Sequence, residues 1–128
     1  MKAPRFEKEI HKRKKMEATS RRRVETICVF CGTSVGTKPQ YAEAAQELGR
    51  VLTERNMHLI YDGGNLGLMG IVSKAVNDGG SPVLGIIPKP LAEANLIGPS
   101  NGEELLVPGM SERLVEMINR AYAFIALP

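Results

Sequence analysis

Between Asp62 and Gly70 the chain reads DGGNLGLMG, directly after the apolar run HLIY. Adjacent Gly63 and Gly64 can adopt backbone angles closed to other residues, and they bring N–H groups close to a ligand. A helix starting near Leu66 would add unpaired N–H groups and the positive end of its dipole, both of which favour a phosphate. Gly67 and Gly70 would let such a helix pack tightly on a sheet. The same loop also serves as a tight strand-to-helix turn with no ligand. Its spacing is not the dinucleotide pattern G-x-G-x-x-G, and it lacks the Lys and Ser/Thr of a P-loop. Other reactive residues are isolated. Lys89 would suit a Schiff-base lysine, but nothing around it marks a pyridoxal phosphate site, and an exposed loop lysine is the simpler reading. His11 and His58 stand far apart, so neither a metal nor a cofactor is expected. Cys28 and Cys31, in CVFC, would point to opposite faces of a strand. That suits neither a disulfide nor a shared metal, and the expectation is two buried, reduced thiols in an intracellular protein.

These residues need elements to position them. TICVFC (26–31) is short, apolar and β-branched, and it meets Gly32, as a buried strand meeting a turn does. Thr37 and Gln40 have capping-box spacing, with Pro39 in the first turn. Tyr41, Ala44, Ala45, Leu48, Val51 and Leu52 then form one apolar helix face. HLIY (58–61) reads as a second strand, followed by a helix over 67–78 that stops at Gly79-Gly80. PVLGII (82–87) reads as a third strand, and 88–108 as loop with a short helix. A helix over 110–121 places Met110, Leu114, Met117, Ile118 and Ala121 on one face, and YAFIAL (122–127) reads as a fourth, buried strand. Strands alternating with helices make an α/β, Rossmann-like parallel sheet with helices on both faces. Ligands in such sheets bind at the carboxyl ends of the strands. The expected sheet ends after its fourth strand.

Charge divides the chain. Residues 1–23 carry ten Lys/Arg against three Glu, a net +7, whereas the remainder carries seven bases and eleven acids, a net −4. The basic part (1–23) has no apolar core pattern and is expected to be a disordered tail, with 24–128 forming the α/β body. Its KRKK and RRR clusters fit a nuclear-import signal, a non-specific nucleic-acid contact or a plain charged leader. They lack aromatic interleaving, so nucleic acid is not the expected partner. No apolar run is long enough to span a bilayer, and the N-terminus has no apolar signal region.

CVFCGTSVG, YDGGNLGLMG, VLGIIPKPL and MSERLVEM…AYAFIALP, in that order, resemble the LOG ("lonely guy") family, whose close relatives were long labelled lysine-decarboxylase-like. The resemblance covers residues 26–128. It implies a cytokinin riboside 5′-monophosphate phosphoribohydrolase, which hydrolyses an N-glycosidic bond to release free base and ribose 5-phosphate. It also implies a homodimer in the cytoplasm, with the basic clusters adding a nuclear destination. In the family the strand ending FIALP runs into a PGGxGTxxE loop that binds phosphate and carries a catalytic Glu. Here Pro128 is the first letter of that motif.

Site residues follow by position. Arg113 lies where the family has the Arg of M-H-x-R-K, which implies a catalytic and substrate-binding role. A guanidinium stays charged and can hold phosphate or ribose oxygens in fixed geometry. Gly63 and Gly64 are the implied phosphate-side contacts. Asn95 falls where many members have a substrate-binding Glu, and Leu114 replaces a substrate-contacting Lys. Ser111 replaces a His or Gln, and Asp62 replaces the first glycine of Tyr-Gly-Gly-Gly, adding a negative charge beside the proposed phosphate. These departures lead to an expectation of impaired activity. The rival readings are an inactive nucleotide-binding or dimer-partner protein, and a nucleic-acid binder using its basic tail.

Overall fold

A computed structural model describes residues 25–30 and 39–127. The basic tail, Cys31 and the Thr37 cap lie outside the described residues. Five strands, β1 (Thr26–Phe30), β2 (His58–Tyr61), β3 (Val83–Pro88), β4 (Glu103–Val107) and β5 (Ala123–Ala126), alternate with four helices, α1 (Pro39–Glu54), α2 (Gly67–Asp78), α3 (Lys89–Ala94) and α4 (Met110–Arg120). The strands form one sheet in the order β4-β3-β2-β1-β5, and every pairing is parallel.

Alternation along the strands sorts the core into two layers. Ile27 and Val29 of β1, Leu59 and Tyr61 of β2, and Val83 of β3 pack with Ala45 and Leu52 of α1 and with Leu68, Met69, Val72 and Val76 of α2. On the opposite face, Cys28, Ile60, Ile86 and Val107 pack with Met117 of α4 and with Ala121, which caps its C-terminus. Helices therefore cover both faces, as the α/β reading requires. α2 spans the residues that its apolar period and the Gly79-Gly80 stop indicate. Its end is closed by Gly79 N–H donating to Ala75 and Gly80 N–H donating to Asn77.

The segment read as loop contains a strand. β4 (EELLV) pairs with β3 from Leu84↔Glu103 to Pro88↔Val107, so AFIA is the fifth strand, not the fourth. Two leading glutamates and a short run hide it in the sequence. As an outer strand it buries only Val107 and leaves Glu103, Glu104 and Leu106 exposed. The pairing with β3 supplies what local propensity does not.

Two further expectations are corrected. β5 is not buried on both faces: Phe124 is 46% exposed, stacked on Phe30 with ring centroids 5.8 Å apart. The apolar face of α4 also splits. Met117 and Ala121 enter the core, while Met110, Leu114 and Ile118 stay exposed. α4 packs mainly on β3 and β4, and its flanking stripe stays partly exposed beside them.

Candidate functional site

β2 ends at Tyr61, and the chain turns through Asp62–Leu66 into α2. The turn needs glycine. Gly63 has φ 85° and Gly64 φ 79°, and a Cβ on either would collide with the side chain of Ile87 or the backbone of Ile97. The crowding comes from the protein itself. The Gly64 amide donates to Ser100 Oγ at 2.8 Å, and the Ser100 hydroxyl donates to Glu104 Oε2 at 2.6 Å. The buried Tyr61 hydroxyl donates to the Gly64 carbonyl at 2.6 Å and accepts from the Asn101 amide at 3.1 Å. The Asn65 amide donates to the Ile97 carbonyl at 3.1 Å. Asn101 Nδ2 lies 3.1 Å from Ser73 Oγ and 3.3 Å from the Gly70 carbonyl, tying the same segment to α2.

The glycine loop is therefore clamped by residues 97–101, and the Gly64 amide is committed to Ser100. The start of α2 adjoins this loop. Leu66 caps it without a side-chain hydrogen bond, so the first-turn amides keep their donors and the helix dipole its positive end.

Arg113 occupies the first turn of α4, where its amide donates to the Gly109 carbonyl. The crossover from β4 to parallel β5 makes α4 run against the strand direction, which brings its N-terminus to the carboxyl ends of the strands. Arg113 thus shares an end of the sheet with the Asp62–Leu66 turn. Electrostatics ties these groups together. Burial raises the Asp62 carboxyl above its ordinary range, with Arg113 opposing. The Cys28 thiol is pushed up to about 12, chiefly by burial and then by Asp62, again opposed by Arg113. A half-buried cation and a half-buried carboxyl at strand ends are groups that could bind an anion or move a proton.

With this geometry in view, the comparisons decide the family. Residues 69–128 match the family described as "Possible lysine decarboxylase". The chain is 53% identical over 113 residues to cytokinin riboside 5′-monophosphate phosphoribohydrolase LOG2 of Arabidopsis thaliana, covering 88% of this chain and 53% of that protein. It is 52% identical over 108 residues to cytokinin riboside 5′-monophosphate phosphoribohydrolase LOG of Oryza sativa subsp. japonica, covering 84% and 45%. The chain belongs to the LOG family. It spans about half the length of these curated LOG relatives. Solved structures share its fold. The Moco carrier protein from Chlamydomonas reinhardtii superposes with a TM-score of 0.66 at 21% identity, over 82% of this chain and 62% of that one. The molybdenum cofactor binding protein from Rippkaea orientalis gives 0.67 at 18%, over 82% and 63%.

The other residues singled out by the LOG resemblance are dispersed. Asn95 caps α3 in the left-handed conformation, φ 54°, with its amide on the Ala92 carbonyl. That geometry suits Asn whether or not a ligand is near. Leu114 follows Arg113 but is exposed, as is Ser111, and Lys89 begins α3 on the surface. Among the described residues no cluster of three His, Cys, Asp or Glu could hold a metal, and no helix is long and apolar enough to cross a membrane. The clamp of Tyr61, Ser100, Asn101 and Glu104 was not foreseen. Ser100, Asn101 and Glu104 lie in the Pro/Gly/Asn-rich stretch without periodicity, with Ser100 36 positions from Gly64, while Tyr61 ends β2. The Asp62–Arg113 approach did leave a signal. Asp62 is two residues past core Ile60, and Arg113 is four before core Met117.

Proposed function

We propose that this chain is the nucleotide-binding half of a cytokinin riboside 5′-monophosphate phosphoribohydrolase. The observation that carries the reading is 53% identity over 88% of the chain to a relative of that name. The position of Arg113 at the carboxyl ends of the strands supports it. In the reaction, water adds at C1′ of the ribose, the C1′–N bond breaks, and the electron pair leaves with the base. Positive charge develops on the ribose, which calls for a carboxylate near C1′ and cationic or N–H groups on the phosphate. Arg113 and the start of α2 supply the second set. The resemblance places the carboxylate in the PGGxGTxxE loop that follows FIALP in the family. On this reading base release needs that loop, so these 128 residues joined to it should be active. The test joins this chain to the second half of a LOG relative. Arg113→Ala should then cut base release by at least about a hundredfold. Undiminished turnover would remove Arg113 from the site.

We also propose that the chain forms a homodimer in the cytoplasm and that residues 1–23 are a separate basic tail. Exposed Met110, Leu114 and Ile118 on α4, with Phe30 and Phe124 on the same side of the sheet, offer an apolar surface that a second copy could bury. Sedimentation of the chain and of a Leu114→Glu variant tests this. A monomeric wild type, or a variant that still dimerises, would contradict it.

A further inference from the structure

Ile60 of β2 and Met117 of α4 belong to the same core cluster, with Cys28 between the sheet and the helix. Asp62, two residues beyond Ile60, lies on that same sheet face. Arg113, four residues before Met117, lies on that same helix face. Both positions are displaced toward the carboxyl ends of the strands, so the carboxylate and the guanidinium come to one space above Cys28. They do not touch. The described ion pairs sit on exposed helix surfaces, at Arg50, Lys74 and Arg120, and no ion pair or hydrogen bond joins Arg113 to Asp62. Arg113 is nonetheless near enough to act on the Asp62 carboxyl through its charge.

We propose that Asp62 is a specificity-determining residue that makes anion binding at Arg113 proton-linked and disfavours doubly charged ligands while its carboxylate is ionised. The proposal rests on the reading of Arg113 as the residue that holds the ligand's anionic oxygens. An anion placed against Arg113 must also face Asp62. Like charges then either weaken binding or drive a proton onto the carboxylate. Burial already tilts Asp62 toward its neutral form, and Arg113 offsets this only in part. Among the described residues, the neighbouring elements present no other group suited to this role. From β1 the neighbour is the Cys28 thiol, which stays neutral because its pKa is about 12. β3 presents apolar Ile86 and Pro88. On α4, Glu112 lies toward Gly109, close to where a Cβ there would stand. Relatives with glycine in place of Asp62 would bind the same anion without the proton.

The probe is sulfate, which keeps both charges across the pH range of a folded protein. The 128-residue chain is labelled with nitrogen-15, and sulfate is titrated while the Arg113 Nε–H resonance is followed at about pH 4.5 and about pH 7.5. In the wild type, affinity should fall roughly tenfold between the two. Asp62→Asn and Asp62→Gly should hold the tighter affinity at both, with the rest of the spectrum reporting that each variant is folded. If both variants keep the wild-type dependence on pH, or bind more weakly at the higher pH, the proposal is overturned. Arg113→Gln distinguishes a failure at Asp62 from a failure at Arg113. It should abolish the sulfate-dependent shifts at neighbouring amides. If those shifts survive, or if sulfate never perturbs Arg113, the anion is not held there. In that case the underlying reading of Arg113 fails, and this proposal fails with it.

Discussion

Tyr61→Phe removes a single oxygen atom, and the structure fixes what that atom does. The hydroxyl of a fully buried side chain donates to the Gly64 carbonyl at 2.6 Å and accepts from the Asn101 amide at 3.1 Å. Phe keeps the ring and its packing against Leu59, Leu68 and Val72, so the transfer term changes little. Two backbone groups lose their partner. A typical intramolecular hydrogen bond contributes about 0.5–1.5 kcal/mol net, and a buried group left unsatisfied costs about 1–3 kcal/mol. The Asn101 amide is only partly buried and water can reach it, so the lower figure applies there. The sum is about 2–3 kcal/mol, which for a domain of this size lowers Tm by roughly 10 °C. The assay is urea unfolding followed by circular dichroism, wild type beside variant, with hydrogen exchange at Asn101 as the local readout. Ser100→Ala should show a strong coupling to Tyr61→Phe, because both clamp Gly64. A loss below about 0.5 kcal/mol for Tyr61→Phe, with unchanged exchange at Asn101, would mean that the clamp does not hold the loop.

Gly64→Ala forces a side chain onto φ 79° and against the Ile97 carbonyl, so it should cost at least about 2 kcal/mol in the same unfolding experiment; a neutral effect would refute the crowding. Cys28, buried and with its thiol pushed up to about 12, should resist a thiol reagent at about pH 8 in the folded protein and react at once in denaturant. Asp62→Asn should stabilise the fold near neutral pH. The raised carboxyl contributes stability that is complete below the ordinary Asp value and is lost as pH rises through the folded one, so the benefit of Asn should vanish in acid. A benefit that persists in acid would show that Asn acts by packing instead of charge.

The architecture was legible where hydrophobic periodicity was strong. HLIY and the helix over 67–78 appear at those bounds, and the alternation of strands with helices gave the parallel sheet. β4 was not legible, because an edge strand needs only one buried residue, and EELLV hides Val107 behind two acids. The glycines of the site were found for a reason that proved incomplete. Their positive φ is real, yet the Gly64 amide serves Ser100, and sequence offers no measure of a contact spanning 36 residues. Arg113 came from motif context, while its nearness to Asp62 required knowing that α4 packs on the Ile60 face. Asp62 had registered only as an unwelcome charge.

Whether these residues are one half of a working site is measured directly by base release. Purified 128-residue polypeptide, and the same polypeptide joined to the second half of a LOG relative, should be incubated with isopentenyladenine riboside 5′-monophosphate and the free base measured. No release above background is expected from the chain alone, and the joined protein is expected to give release that Arg113→Ala removes. Turnover by the 128 residues alone, lost on Arg113→Ala, would contradict this and require a catalytic carboxylate within this sequence.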